Sequence, residues 1–227
     1  MTATTPRLVE VRQNILKHND ELARALRARF QRAGIFVVSL VSSPGAGKTA
    51  FLERTLTMLR PRQRIAALVG DLATDNDAAR LARSQVPVKQ ITTGTVCHLD
   101  AEMVEGALTG WDLAALDMLF IENVGNLVCP ASYDLGESLR CVLLSVTEGE
   151  DKPLKYPTIF NSADVAILTK IDLADAVEFD RAAAERNIQA VRPGMPTFAV
   201  SAKSGYGMPE LLSFFSFRLT EIRTDAP

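Results

Sequence analysis

Hydrophobic residues along the chain follow two periodicities, which divide it into an N-terminal helical segment and a longer alternating part. Within Thr5–Ala33, apolar residues recur at helical spacing with charged residues between them, and this predicts one or two amphipathic helices that end at Gly34. From Ile35 onward, short β-branched runs alternate with segments of helical periodicity. The short runs predict strands at Ile35–Val41, Arg64–Val69, Val88–Ile91, Leu116–Ile121, Leu139–Val146, Val165–Leu168 and Thr197–Val200. The segments between them predict helices at Lys48–Leu59, Asp77–Ser84, Leu99–Leu108, Phe179–Val191 and Pro209–Ile222.

Several of the predicted strands are apolar on both faces, as Phe36–Val41 illustrates. A strand of this kind belongs in a parallel sheet that is covered by helices on each side. The pattern therefore predicts an α/β fold with a mostly parallel sheet flanked by helices, and ligand sites at the carboxyl ends of the strands. Residues 1–33 are expected to form a helical extension, and residues 34–227 are expected to form one α/β domain.

The composition limits the classes of protein to which the chain can belong. Of its 227 residues, 47% are hydrophobic and 23% are charged, as in globular domains. The net charge of −2 gives no basic field that would attract nucleic acid or an anionic membrane, and no apolar run is long enough to span a bilayer. No secretory signal follows the first residues, so we expect a cytoplasmic protein with neither nucleic-acid nor membrane partners. The three cysteines do not make a disulfide framework, and each is expected to be a buried apolar residue or a metal ligand.

A glycine-rich segment, Ser42–Thr49 with the sequence SSPGAGKT, follows the first predicted strand and opens the next predicted helix. Its glycines allow backbone N–H groups to surround a phosphate chain, and the helix N-terminus attracts negative charge. Lys48 would reach the outer phosphates, and Thr49 would offer its hydroxyl to Mg²⁺. The usual pattern begins with glycine where this chain has Ser42. The segment predicts a P-loop NTPase whose phosphate-binding residues are Ser43, Gly45, Ala46, Gly47, Lys48, Thr49 and Ala50.

Two later segments indicate that the base of the nucleotide is guanine. Thr169–Asp172, with the sequence TKID, follows a predicted strand and is similar to the Asn/Thr-Lys-x-Asp motif of GTPases. The carboxylate of Asp172 can accept hydrogen bonds from guanine N1–H and its 2-amino group, a donor pair that adenine lacks, while the stem of Lys170 can cover the ring. Ser201, Ala202 and Lys203 follow the last predicted strand and resemble the loop that closes over the base. We therefore expect GTP and GDP as the ligands.

The segment Glu122–Gly125 has the form of the Asp-x-x-Gly switch of GTPases, with glutamate in place of aspartate. Glu122 would hold Mg²⁺ directly or through water, and the N–H of Gly125 would contact the γ-phosphate. Asp71 and Asp75 offer two more carboxylates near the magnesium ion, although Asp75 can also be explained as a helix N-cap. Asn126 stands where a water-positioning glutamine would be expected, so intrinsic hydrolysis should be slow. The predicted catalytic residues are Lys48, Thr49, Asp75, Glu122 and Gly125, and the predicted Mg²⁺ ligands are Thr49, Asp71 and Glu122.

A second constellation indicates a transition-metal site. Cys97 and His98 are neighbours at the start of a predicted helix, and Cys129 lies just beyond the switch glycine. Two thiolates and one imidazole suit Zn²⁺ or Ni²⁺, provided that Cys97 lies in the loop before the helix. The alternative is a buried thiol beside a histidine that caps the helix. Cys141, within an apolar strand, is expected in the core, and His18 is expected at the surface.

The motifs together resemble the hydrogenase nickel-incorporation GTPases of the HypB family, over most of the chain. The resemblance rests on residues 42–49, 70–78, 97–101, 122–130 and 148–157. It implies a GTPase that helps deliver nickel to the [NiFe] hydrogenase large-subunit precursor, works with the small nickel-binding partner HypA and dimerises with GTP. It also implies that Cys97, His98 and Cys129 form the nickel or zinc site. The N-terminal cysteine motif and histidine-rich tract of some relatives have no counterpart in Met1–Gln31, so nickel storage is not expected.

Three alternatives remain open at this point. A sister metallochaperone GTPase, such as a urease accessory protein, would share the fold and the glutamate switch. A nucleotide-gated scaffold would use the metal as structural Zn²⁺ instead of delivering it. A P-loop small-molecule kinase would use ATP, and Asp172 argues against that class because adenine gives its carboxylate no donor pair.

Overall fold

The computed structural model describes residues 7–71 and 76–224, which contain seven strands and eight α-helices. The strands are β1 Phe36–Ser42, β2 Ile65–Asp71, β3 Val88–Thr92, β4 Met118–Glu122, β5 Leu139–Ser145, β6 Val165–Thr169 and β7 Thr197–Ala199. The helices are α1 Arg7–Ala33, α2 Lys48–Leu59, α3 Asn76–Leu81, α4 Ala101–Ala107, α5 Lys152–Lys155, α6 Pro157–Ser162, α7 Arg181–Val191 and α8 Met208–Thr224. Short 3₁₀ turns occur in several of the connections.

The strands form one parallel sheet in the order β3-β2-β4-β1-β5-β6-β7. The predicted parallel α/β fold is therefore confirmed. Because β1 lies between β4 and β5, the order of the strands reverses beside the carboxyl end of β1, which is where α/β sheets bind ligands. That end of β1 leads directly into the glycine-rich segment.

Helices cover both faces of this sheet, which explains why the strands are apolar on both sides. One face packs against α2 and α8, and Cys141 is fully buried there as predicted. The other face packs against α1 and α4 at one end and against α6 and α7 at the other. Each fully buried leucine or phenylalanine in these layers stabilises the fold by about 1.5–3 kcal/mol.

The N-terminal segment forms a single helix, α1, of 27 residues. Its buried apolar side chains within residues 13–33, Ala23, Leu26 and Phe30, pack against the sheet face that α4 also covers. His18 is exposed on this helix, as predicted. Within residues 7–71 and 76–224, no helix has both the length and the apolar character that crossing a bilayer requires.

The boundaries differ from prediction mainly where side chains cap or break a helix. α4 begins at Ala101 instead of Leu99, because the carboxylate of Asp100 caps it by accepting a hydrogen bond from the N–H of Met103 at 2.8 Å. The predicted helix Asp77–Ser84 is α3 continued by a 3₁₀ turn. The short helices α5 and α6 were not predicted, because four and six residues are too few to show a helical period.

Candidate functional site

The glycine-rich segment connects β1 to α2 and turns tightly around the space in front of the helix. Gly47 has a φ of 89° and forms the N-cap of α2, a left-handed conformation that glycine adopts without strain. The ammonium of Lys48 donates a hydrogen bond to the hydroxyl of Ser42 at 2.8 Å. Burial lowers the pKa of Lys48, and the nearby Glu122 carboxylate opposes this shift. Ser42, the departure from the usual glycine, therefore serves as a hydrogen-bond acceptor for the lysine of the loop.

A second contact, between Ser43 and Glu148, also holds the glycine-rich segment in place. The hydroxyl of Ser43 donates to a carboxylate oxygen of Glu148, and the other oxygen of Glu148 accepts from the N–H of Ser145 at 3.0 Å. Glu148 follows β5, so this strand and the phosphate-binding loop are joined through one carboxylate. The ammonium of Lys152 lies 3.9 Å from the same carboxylate.

The predicted magnesium ligands meet at the carboxyl ends of β2 and β4. The hydroxyl of Thr49 donates to Oε1 of Glu122 at 2.7 Å, and Asp71 lines the same cleft. Burial raises the pKa of Glu122 to about 7, although the attraction of Lys48 acts in the opposite direction. Its Oε2 atom is buried and has no hydrogen-bond partner among the described residues. A hydroxyl and carboxylate oxygens fit the hard ligand set of Mg²⁺, and an ion there would satisfy the unpaired oxygen. Asp75 lies outside the described residues.

These groups line a cleft of about 420 Å³ at the carboxyl edge of the sheet. The cleft brings together most of the residues predicted to contact phosphate or Mg²⁺, which are Gly45, Gly47, Lys48, Thr49, Ala50, Asp71, Glu122 and Gly125. Backbone N–H groups at a helix N-terminus, the ammonium of Lys48 and the carboxylates of Glu122 and Asp71 make this cleft suitable for a magnesium-bound polyphosphate.

A second pocket of about 210 Å³ adjoins the cleft and shares Gly47, Ala50 and Lys170 with it. It is lined by the residues that the sequence assigns to the base, including Thr169, Asp172, Ala202 and Lys203. The hydroxyl of Thr169 donates to the carbonyl of Ala46 at 2.7 Å, and the ammonium of Lys170 donates to the carbonyl of Gly45 at 2.7 Å. The segment Thr169–Asp172 is thus hydrogen-bonded directly to the glycine-rich segment.

Ser201 has a different position from the other base-loop residues. It is fully buried, and its hydroxyl accepts a hydrogen bond from the N–H of Ser204 at 3.0 Å. It therefore stabilises the conformation of the loop from its buried side, while Ala202 and Lys203 line the pocket.

The predicted metal ligands also lie together. Cys97 and His98 are in the loop before α4, and Cys129 begins a 3₁₀ turn after the switch segment. The sulfur atoms of Cys97 and Cys129 are 3.0 Å apart, and all three ligand atoms lie within 4.8 Å of one another. Neither cysteine forms a disulfide. Two thiolates that bind one ion at about 2.3 Å each can lie at most about 4.6 Å apart, so this separation is compatible with a shared ion.

The imidazole of His98 is prepared for a ligand on one of its nitrogens. Its Nδ1 is buried and has no hydrogen-bond partner among the described residues, and its ring stacks on Tyr133 with centroids 3.9 Å apart. Burial lowers the pKa of His98, against the attraction of Asp100, and this favours the neutral form that binds metals. The alternative of a helix-capping histidine is wrong, because Asp100 caps α4.

The structure adds two residues whose roles the sequence did not indicate. Asn123 accepts hydrogen bonds from the N–H groups of Leu99 and Val124, both at 2.9 Å. Asn126 donates to the carbonyl of Cys97 at 3.3 Å and accepts from the N–H of Val128 at 2.8 Å. A polar side chain directly after a buried strand was the available signal for Asn123, but its distant partner could not be identified from sequence.

Comparison with known proteins agrees with this geometry. The family model for the CobW/HypB/UreG nucleotide-binding domain matches residues 36–199. The hydrogenase maturation factor HypB of Azotobacter vinelandii is 50% identical over 208 residues, which are 92% of this chain and 69% of that protein.

Two solved structures share the fold. HypB from Archaeoglobus fulgidus superposes with a TM-score of 0.83 at 35% identity, covering 89% of this chain and 99% of the other. HypB from Helicobacter pylori in complex with nickel superposes with a TM-score of 0.82 at 41% identity, covering 92% and 97%. The chain belongs to the HypB hydrogenase maturation factors, within the CobW/HypB/UreG family of nucleotide-binding domains.

Proposed function

We propose that this chain is a GTP-hydrolysing metallochaperone that binds nickel, or zinc in its place, and assists nickel insertion into [NiFe] hydrogenase. Metal delivery is coupled to the GTP/GDP cycle. One observation carries the proposal: a single short segment runs from the phosphate cleft to the metal ligands. Gly125 lines the cleft, and Cys129, four residues later, has its sulfur 3.0 Å from that of Cys97.

The phosphate cleft supports the hydrolytic half of the proposal. Lys48 and the N-terminus of α2 would bind the phosphates, while Thr49, Asp71 and Glu122 would hold Mg²⁺. When bound, Mg²⁺ would neutralise charge on the β- and γ-phosphates. In the reaction, a water oxygen bonds to the γ-phosphorus and the bond from that phosphorus to the β–γ bridging oxygen breaks. GDP and inorganic phosphate form, and the water protons pass to phosphate and solvent.

The hydrolysis is expected to be slow. Asn126 is the residue after the switch glycine, and its amide is occupied by the carbonyl of Cys97 and the N–H of Val128. It is therefore engaged with the metal-binding loop instead of with an attacking water. A slow intrinsic rate suits a protein that must keep its cargo until a partner is present.

Metal release follows from the geometry of the shared segment. Even fully extended, the chain from Gly125 to Cys129 spans at most about 14 Å. A switch that rearranges when the γ-phosphate leaves would therefore displace Cys129. Cys97 and His98 lie on a different loop, so the displacement would reduce the ligand set from three to two and weaken metal binding.

We further propose the partners that this function needs. GTP favours a homodimer, HypA exchanges nickel with the site, and the hydrogenase large-subunit precursor is the recipient in the cytoplasm. The relatives are named as hydrogenase maturation factors, and this supports a hydrogenase precursor as the recipient. The nickel complex of the Helicobacter pylori protein supports nickel as the metal that is delivered.

The test is to titrate Ni²⁺ and Zn²⁺ into the parent, each with GDP and with a non-hydrolysable GTP analogue. The parent should differ in metal affinity by about 5- to 150-fold between the two nucleotides, the usual range of coupling between sites. Cys129→Ala should retain weak binding whose dependence on nucleotide is smaller than that of the parent. Cys141→Ala is the matched control, because this thiol is buried in the core on another part of the sheet, and it should leave the coupling intact.

Transfer to the recipient distinguishes delivery from a structural role. Nickel should reach a hydrogenase precursor faster with GTP than with the non-hydrolysable analogue. A metal ion that stays on the protein through GTP turnover, with equal affinities in both nucleotide states, would replace the proposal with the structural-zinc scaffold.

A further inference from the structure

Asn123 occupies the junction between the nucleotide cleft and the metal-binding loop. It follows Glu122 directly at the end of β4, and only 2% of its surface is exposed. Its single side-chain oxygen accepts two backbone hydrogen bonds, from Leu99 N–H and from Val124 N–H, each at 2.9 Å. One atom therefore joins two segments that are 24 residues apart in sequence.

The two partners of this oxygen belong to the two functional sites. Val124 precedes Gly125, the residue predicted to contact the γ-phosphate. Leu99 follows His98, so its N–H is one peptide unit away from the metal-ligand pair of Cys97 and His98. Cys129 is connected to the switch through the chain itself, whereas Cys97 and His98 are connected to it through Asn123.

Leu99 cannot follow small movements without repacking. Its side chain is fully buried, and an added Cβ at Gly70 would lie 2.8 Å from its Cγ. Gly70 in turn precedes Asp71 at the end of β2. Because interiors are packed as densely as crystals, a displacement of this loop would require Leu99 to repack against Gly70.

We infer that Asn123 is a positioning residue that transmits the state of the GTP switch to the Cys97–His98 loop. The inference rests on the proposed function and deepens it by assigning the path of the coupling. When the Val124–Gly125 segment rearranges, one oxygen can no longer hold both N–H groups. The Leu99 N–H, buried among apolar side chains, would then lose its acceptor, and a buried donor without an acceptor is costly. The loop that carries Cys97 and His98 therefore moves with the switch.

Asn126 provides a matched comparison within the same segment. Its amide also bridges to the metal-binding loop, through the carbonyl of Cys97 at 3.3 Å, but it has no hydrogen bond to the Leu99–Val124 junction in the structure. Removing it should loosen the metal site in every nucleotide state. Removing Asn123 should instead disconnect the Cys97–His98 loop from the nucleotide switch.

The experiment measures Ni²⁺ affinity from thiolate-to-nickel absorption in the presence of GDP and of a non-hydrolysable GTP analogue. The readout is the ratio of the two dissociation constants, which a merely structural role would not change selectively. For the parent we expect a ratio that departs from 1 by about 5-fold or more. For Asn123→Ala we expect a ratio at least about 2-fold closer to 1 than that of the parent, because only the connection of Cys129 through the chain remains, and for Asn126→Ala weaker binding with the ratio of the parent.

Two further variants distinguish the loss of the hydrogen bond to Leu99 from misfolding of the protein. Asn123→Ser has a side chain one bond shorter, which can still reach the adjacent Val124 N–H but not Leu99, so it should also bring the ratio closer to 1 than that of the parent. Asn123→Asp retains an acceptor oxygen of the same reach and should restore the ratio. Thermal unfolding and binding of a fluorescent GDP analogue establish that each variant is folded.

The outcomes separate the inference from the proposed function. A parent ratio of 1 would overturn the nucleotide-coupled delivery itself. A parent ratio different from 1 that Asn123→Ala and Asn123→Ser both preserve would overturn only the role of Asn123. An equal loss of the ratio in Asn126→Ala would also contradict it, because the connection would then not be specific to the Leu99–Val124 junction.

Discussion

Pro44 and Gly125 are in contact across the phosphate cleft: an added Cβ at Gly125 would lie 3.0 Å from the Cα of Pro44 and 3.1 Å from its nitrogen. Both of these atoms belong to the backbone of the phosphate-binding loop, which side-chain rotation cannot move. The glycine is therefore required by the close approach of two backbones and not by its φ angle. The switch segment rests directly on the loop that would hold the nucleotide.

We expect Gly125→Ala to slow GTP hydrolysis by about tenfold or more, because overpacking typically costs about 1–3 kcal/mol and the displaced backbone here is the phosphate-binding loop. Metal binding without nucleotide should be unchanged. Gly106→Ala is the matched control, since Gly106 lies within α4 and a Cβ there has nothing within 4 Å. Single-turnover hydrolysis measures the effect, and equal rates for Gly125→Ala and the parent would show that the phosphate-binding loop accommodates the added methyl group and that the close approach does not require glycine.

Substitution of Asp172 tests whether its carboxylate recognises guanine. Asp172 lines the smaller pocket beside Lys170, where an exposed carboxylate can accept from guanine N1–H and the 2-amino group. Asp172→Asn replaces one acceptor with a donor, so we expect GTP affinity to fall by about tenfold or more and XTP to bind better than it binds the parent. Asp175→Asn, an exposed carboxylate three residues away, should behave like the parent. Competition binding with both nucleotides is the measurement, and undiminished GTP binding would show that Asp172 does not recognise the base.

The expected GTP-dependent dimerisation can be tested at two lysines of the short helix α5, which follows β5. Lys155 is exposed and pairs with Asp151 at 2.6 Å, whereas Lys152 lies near Glu148 and over the ring of Tyr156. Since Glu148 also accepts a hydrogen bond from Ser43, Lys152 lies beside the phosphate-binding loop, and we expect it to contact the nucleotide of a second protomer.

We expect the double variant Lys152→Ala/Lys155→Ala to dimerise less with a GTP analogue, as measured by light scattering, and Lys155→Ala alone to change little. The single variant removes only the surface ion pair between Lys155 and Asp151, and it shows whether that loss alone weakens dimerisation. We expect little effect, since such pairs contribute only about 0–1 kcal/mol. If the double variant dimerises as the parent does, α5 is an ordinary solvated surface.

Much of the fold could be predicted because it depends on local composition. β-branched runs buried on both faces indicated the parallel strands, and α2 begins and ends at Lys48 and Leu59 as predicted. The sequence also indicated that two thiols and one imidazole would suit a transition metal, and the structure places Cys97, His98 and Cys129 together, while their binding of a metal stays a prediction.

The contacts between distant segments could not be predicted in this way. Asn126 suggested only a missing water-positioning glutamine, yet its amide bridges to the carbonyl of Cys97. Asn123 gave no signal of its partner, because a hydrogen bond to the backbone of Leu99 leaves no trace in the identity of that residue. Side-chain-to-backbone bonds of this kind depend on the tertiary arrangement and not on the residue type of the partner.

At the opposite edge of the sheet from the site, Asp117 joins three elements. Its carboxylate accepts from the backbone N–H of Arg64 and from its guanidinium, both at 2.7 Å, and it also accepts from Arg223 of α8. The side chain of Asp117 is nearly buried, and these hydrogen bonds hold the pKa of its carboxyl well below the usual value. The network connects the starts of β2 and β4 to the last helix.

We expect Asp117→Asn to lower the free energy of unfolding at pH 7 by about 1.5–3 kcal/mol, the range for hydrogen bonds to charged groups. Because the pKa is lowered in the folded state, the contribution of Asp117 is complete above the unfolded pKa of about 4 and decreases as the pH falls below it. The difference between parent and variant should therefore stay constant from pH 7 to about pH 5 and shrink toward pH 3. Urea unfolding at each pH measures it, with Asp20→Asn on the exposed face of α1 as control. A difference that persists undiminished at pH 3 would mean that the amide disturbs packing, and that the charge of Asp117 does not stabilise the fold.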